Sequence, residues 1–168
     1  MFEIRPLQKK DGRSKRLQEA MKIYKNGILP EAQNPERQIL YWIENAAEIG
    51  ADEFHCCSIH DSGNVIGYLQ YTFFSEEKII FFEYLCINKR KNIRFYSKDI
   101  IEKINAYIES KYGSLIQMIF EVAYVKNGED WVPDQKLISY FTRIGFQRLE
   151  SPYRYPVLQS YDGETSYP

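Results

Sequence analysis

The chain has 168 residues, 44% of them hydrophobic and 27% charged, the mixture expected of one globular domain large enough to bury a core. Its 22 basic and 23 acidic residues leave a net charge of −1, which argues against a dedicated nucleic-acid binder, because such domains carry a surplus of positive charge. No run approaches the ~18 apolar residues of a membrane helix, and the opening MFEIRPLQKKDG lacks the apolar stretch of a signal peptide, so a cytoplasmic protein without a membrane partner is expected.

A short strand opens the chain at 2–6. In 11–27, Leu17, Met21 and Tyr24 recur at helical spacing and continue to Ile28, with Asp11 or Ser14 as cap and Gly27 near the exit. A second helix follows, capped by Asn34, with Pro35 in the favoured first position and Ile39, Ile43 and Ala46 as its buried stripe before Gly50. Three β-rich runs come next, EFHCCSIH, VIGYLQYTFF and IIFFEYLCI, joined by the polar turns DSGN and SEEK, which predicts antiparallel hairpins. Cys56, Cys57 and Cys86 lie in these runs and read as small buried hydrophobes. Alternation sends His55 and Cys57 to one face and Cys56 and His60 to the other, so no metal site is expected there.

After Ile87 a basic stretch, NKRKNIR, leads into a helix on which Ile100 or Ile101, Ile104 and Ile108 form one face and Gly113 is the stop. The remaining chain reads as a strand at 115–124, a loop at 125–133, a short helix at 134–145 with Leu137, Phe141 and Ile144 on one side, and one or two final strands. The predicted order is β-α-α-β-β-β-α-β-α-β, an α+β domain at 1–158 with a mixed, mostly antiparallel central sheet flanked by helices, followed by a polar tail at 159–168.

A helix N-terminus presents unpaired N–H groups and partial positive charge, a natural site for a diphosphate. Here the approach carries Lys89, Arg90, Lys91 and Arg94, with Lys98 one turn inside. A solvated basic loop is the alternative, and a nucleic-acid patch using Phe95 and Tyr96 a minor one. Within IIFFEYLCI, Glu83 is the only acid, and simple alternation puts it on the face of Leu85 and Ile87. Burial there raises a carboxylate's pKa, although pairing with a basic neighbour would explain the residue equally well.

This element order, with the segments EYLCINKRKNIRFYSKDII and DQKLISYFTRIGF, resembles the GNAT acetyltransferase superfamily. In that family an R-x-x-G-x-G/A loop between strand and helix holds the pyrophosphate of coenzyme A on backbone amides. Laid on this chain, Leu85 and Ile87 form the strand end, and Asn92, Ile93, Arg94, Phe95, Tyr96 and Ser97 form the loop. Asn92 stands where arginine is usual and Phe95 on the first glycine, with Arg90 or Arg94 able to supply the missing charge. The second block, N-x-x-A-x-x-L-Y-x-x-x-G-F in the family, is occupied here by Asp134, Leu137, Tyr140, Phe141, Gly145 and Phe146.

The resemblance implies an N-acetyltransferase that passes an acetyl group from acetyl-CoA to a primary amine by direct attack, with no metal. It implies Glu83 as general base. Tyr140, one position before the family's usual tyrosine, is the candidate proton donor to the thiolate, plain packing being the alternative. A GNAT-like module that binds a ligand or partner protein without catalysis is the competing reading, and a homodimer is compatible with either.

Overall fold

A computed structural model describes residues 2–8, 11, 14–45, 53–88, 98–114, 116–122, 124–127 and 130–149. The chain divides into two compact units, Met1–Glu121 and Val122–Pro168.

The first unit is built on a five-stranded sheet, in the order β1 (Phe2–Pro6), β2 (Glu53–Asp61), β3 (Asn64–Phe74), β4 (Ile79–Ile87) and β5 (Gln117–Phe120). The first four strands pair antiparallel. β2 and β3 are joined through Ser62 and Gly63, since Asp61 pairs with Asn64, the two-residue turn that DSGN predicts. β5 joins β4 in parallel, and such a pairing needs a crossover. That crossover contains α3 (Lys98–Tyr112), whose Ile100, Ile101, Ile104 and Ile108 are buried as the spacing predicts. Each fully buried isoleucine stabilises the unit by about 2 kcal/mol.

The other face carries α1 (Lys15–Gly27) and α2 (Glu36–Asn45). Ser14 caps α1 by accepting from Leu17 N–H at 3.2 Å. Asp11 serves instead the preceding turn, where it accepts from Gln8 N–H at 2.8 Å and pairs with Arg16. Leu17, Ala20, Met21, Ile23 and Tyr24 of α1 pack with Ile39 and Ile43 of α2 against Cys56, Val65, Tyr68 and Cys86 of the sheet. Trp42 and Phe54 lie with ring centroids 5.0 Å apart. The two adjacent cysteines part as alternation requires: Cys56 lies in this core, whereas Cys57 faces Tyr107 of α3 at 3.9 Å.

In the second unit, β6 (Tyr124–Asn127) and β7 (Asp130–Pro133) form a hairpin followed by α4 (Gln135–Arg143). This corrects two expectations. Within 125–133, expected as a loop, 125–127 and 130–133 are strand, because Val125 pairs with Val132 in an antiparallel ladder and β-branched residues suit a pleated ladder. The strand expected at 115–124 is in fact two: β5 stops at Phe120, and Tyr124 already belongs to β6. Residues 146–149 form no strand. Ala46, Gly50, the basic stretch 89–97, Leu115, the rest of the expected final strands and the tail at 159–168 lie outside the described residues.

β3 is buried along Val65–Tyr71, and Gly67 is its closest point of approach. A Cβ added there would sit 2.8 Å from Cys86 O, 2.8 Å from Ile87 Cδ1 and 3.1 Å from Ile59 Cδ1. Backbone cannot yield as a flexible side chain does, so Gly67→Ala is expected to destabilise the protein by about 1–3 kcal/mol. A urea midpoint equal to that of the parent would show that the β3–β4 contact is looser than these distances.

Candidate active site

The strand that carries Glu83 is β4. Gln70 pairs with Tyr84 while Tyr71 pairs with Phe82, so Glu83 is an extra residue with no opposite number on β3. This is a β-bulge, which turns the side chain of the extra residue and interrupts the ladder. Cross-strand partners share a face of the sheet. Tyr84, partner of Gln70, therefore lies on the α1–α2 face, where its ring meets that of Tyr24 at 5.2 Å. Leu85, partner of Leu69, lies on the α3 face with Ile87.

Glu83 joins the α1–α2 face, as its contacts show. One carboxylate oxygen accepts from Gln70 Nε2, and the other accepts from Thr72 Oγ1 at 2.7 Å. Simple alternation put Glu83 with Leu85 and Ile87, and this expectation is corrected. The bulge adds one residue to β4, so Glu83 and Tyr84 point to the same side. Among the described residues no basic partner holds the carboxylate; two neutral donors do. Burial, the largest influence, pushes its pKa above the ordinary carboxylate value, while the bonds from Gln70 and Thr72 oppose that rise.

Behind Glu83 the donors continue. Tyr68 O–H donates to Gln70 Oε1 at 2.6 Å, and Cys56 Sγ lies 3.2 Å from the Tyr68 hydroxyl. Cys56, Tyr68 and Gln70 are all buried. Gln70 and Thr72 were missed at the sequence level, although each is a polar residue inside the otherwise apolar run VIGYLQYTFF. Such a residue in a strand buried on both faces must meet a partner, and that was the available signal.

The pairing also bears on the strand end beyond Glu83. β4 and β5 are matched only from Ile79 with Gln117 to Phe82 with Phe120. The last pair is an aromatic stack with centroids 4.1 Å apart and planes at 7°. The β4–β5 ladder therefore stops one residue before Glu83, and no pair with β5 is made from Glu83 to Ile87. Leu85 and Ile87 thus sit at the strand end where they were expected, whereas Arg90, Asn92, Ile93, Arg94, Phe95, Tyr96 and Ser97 lie outside the described residues.

Asp134 and Tyr140 belong to the second unit. Asp134 is the N-cap of α4, its Oδ1 accepting from Lys136 N–H at 2.9 Å and Leu137 N–H at 3.3 Å. Tyr140 is half-buried on α4, edge-on to Phe141 at 5.6 Å, with the Arg143 guanidinium 5.8 Å from its ring centre. The RIGF tetrapeptide is a helix stop. Gly145 has φ +103°, Phe146 N–H bonds to Phe141 O at 3.0 Å, and Gly145 N–H bonds to Thr142 O at 3.1 Å. With the Phe141 and Phe146 rings 5.4 Å apart, this is a complete Schellman cap.

No sequence-family model and no curated protein matches the chain. Solved structures do. A protein of the GNAT acetyltransferase family from Bacteroides thetaiotaomicron superposes with a TM-score of 0.67 at 17% identity, over 90% of this chain and 75% of that one. The aminoglycoside N-acetyltransferase AAC(6')-Iy, bound to a bisubstrate analog, superposes with a TM-score of 0.59 at 16% identity, over 93% and 97% of the two chains. A ribosomal-protein-alanine N-acetyltransferase from Brucella melitensis gives a TM-score of 0.57 at 11% identity, over 93% and 99%. The mixed five-stranded sheet and its helices are thus in the GNAT arrangement.

The raised pKa of Glu83 has a consequence for stability. Below the ordinary value of 4.5 the group is protonated both folded and unfolded. As the pH rises through that value towards the higher folded one, the unfolded chain releases its proton first, so stability falls across this window and the deficit then stays constant. Glu83→Gln, which cannot ionise, is expected to gain on the parent between pH 4 and pH 7. Urea midpoints at the two pH values measure this, and an offset independent of pH would contradict it.

Proposed function

We propose, from the GNAT acetyltransferase fold of this chain, that it is an acetyl-CoA-dependent N-acetyltransferase acting on a primary amine. The observation that carries this reading is the position of Glu83. It is a carboxylate raised in pKa by burial, set on a bulge one residue beyond the last pair of β4 with β5.

In the proposed reaction the neutral amine attacks the thioester carbonyl in a ternary complex. The C–N bond forms, the C–S bond breaks, and the amine proton passes to Glu83 through water. A base of raised pKa suits that task near neutral pH. Tyr140 gives its phenolic proton to the departing thiolate. Backbone amides of 92–97, with Arg90 or Arg94, are proposed to hold the diphosphate at the start of α3, where the helix dipole favours an anion. Leu85 and Ile87 supply the strand end along which the thioester arm lies. We further propose that 1–158 acts as one catalytic domain, with 159–168 as a tail.

Two measurements test this. Acetyl-CoA is expected to raise the apparent melting temperature, and Ser97→Asp, which sets a negative charge in the proposed diphosphate loop, is expected to weaken binding by at least ~1 kcal/mol. No stabilisation by acetyl-CoA would leave the chain as a GNAT-shaped binding module.

Release of free thiol is then followed with an aminoglycoside, a polyamine and a peptide with an N-terminal alanine. Glu83→Gln is expected to lower kcat/KM by ~10²- to 10⁴-fold at neutral pH, leaving acetyl-CoA affinity unchanged. Its turnover should be lowest at low pH, where more of the acceptor amine is protonated, and recover partly as the pH rises. Tyr140→Phe is expected to reduce turnover without changing acetyl-CoA affinity. Turnover by Glu83→Gln equal to the parent across pH 6 to 9 would remove Glu83 from the mechanism.

A further inference from the structure

The hydrogen bonds around Glu83 have a direction. Tyr68 has one hydroxyl proton, which it donates to Gln70 Oε1 at 2.6 Å, so the contact of 3.2 Å between Cys56 Sγ and the Tyr68 oxygen is donated by the thiol. An amide whose Oε1 is engaged by Tyr68 must turn its Nε2 towards Glu83, and it does so. Thr72 O–H donates to the second oxygen. Every donor in the series, thiol, phenol, amide and threonine hydroxyl, therefore points towards the carboxylate. Bonds aligned in this way polarise one another in a low-dielectric interior, and bonds donated to the ionised form favour it.

The opposite setting of the amide is chemically distinct. With Gln70 Oε1 turned to Glu83, two acceptors would meet unless the carboxyl carried a proton. With Tyr68 donating to Gln70 Oε1, the amide presents its N–H to Glu83, the orientation that supports the ionised form and needs no proton on the carboxyl. Proton conduction is excluded along this path, because the Gln70 amide interrupts it.

Among the described residues, the titratable groups on this face include Tyr68 of β3, Cys56 and, further along, His60 of β2, Tyr84 and Cys86 of β4 and Tyr24 of α1. Burial raises the pKa of Tyr24, Cys56, Tyr68 and Cys86, which keeps these groups neutral and able to donate. The charge of Glu83 acts on Cys56 and Tyr68.

We infer that Tyr68 and Gln70 are positioning residues: through the Gln70 amide, the Tyr68 hydroxyl holds Glu83 as an oriented carboxylate ready to accept a proton. The importance of this for turnover rests on the reading of Glu83 as the general base, but its effect on the Glu83 carboxyl does not.

The test separates the two. The titration of Glu83 is followed by carboxyl-carbon NMR in the intact protein without substrates, its signal being assigned by its loss in Glu83→Gln. Tyr68→Phe keeps the ring and removes only the hydroxyl, and Gln70→Met keeps the length and removes the amide. Each is expected to raise the Glu83 midpoint by about one pH unit, a tenfold gain in proton affinity, because each removes support from the ionised form. The acid limb of kcat/KM, measured with the best acceptor of the panel above, should move by the same amount.

A purely structural role would alter the melting temperature and leave the midpoint in place. If the midpoint is unmoved in both folded variants, the inference is overturned; unfolding of one leaves the other decisive. If the midpoint moves while the acid limb stays, the positioning holds and the general-base assignment of Glu83 fails.

Discussion

A carboxylate inside a sheet that is covered on both faces must be met by donors, and much of the arrangement around β3 follows from that requirement. Water cannot solvate Glu83 fully there, and an unpaired buried charge costs several kcal/mol. β3 supplies two side chains for it, Gln70 and Thr72. Gln70 in turn needs an acceptor and a donor of its own in a fully buried position, which draws in Tyr68. The polar chain thus extends into a core otherwise made of apolar side chains.

The bulge that turns Glu83 inward also adjoins the end of the parallel pairing. The parallel ladder of β4 and β5 ends at Phe82 and Phe120, one residue before the bulge. The extra residue thus aims the acid directly beyond the last pair of β4 with β5. The crossover by α3 is compatible with this, because its four buried isoleucines hold it to the sheet independently of the ladder's length.

The second unit shows how a family-like tetrapeptide acquires a structural meaning. Arg143-Ile144-Gly145-Phe146 ends α4 through two backbone bonds and a ring contact. Asp134 begins the same helix by capping it. Both ends of this nine-residue helix are thus fixed by residues that carried the resemblance. A helix so short needs both caps, since an isolated helix of this length is marginal in water.

Local signals in the sequence determined the helices and the first four strands, though not β5, β6 and β7. The polar turns DSGN and SEEK delimited β2, β3 and β4, the isoleucine spacing marked α3, and Ser14, Asp134 and Gly145 marked helix ends, because turns and caps are decided by a few adjacent residues. The resemblance added the GNAT arrangement, which the superposition on solved structures supports. Tertiary structure alone decided which way Glu83 faces and what holds it. A bulge is a feature of register, and register is set by pairing between residues well separated in the chain, such as Gln70 with Tyr84 and Tyr71 with Phe82. Alternation within β4 has no access to that pairing, which is why the sequence identified the acid and assigned it to the wrong face.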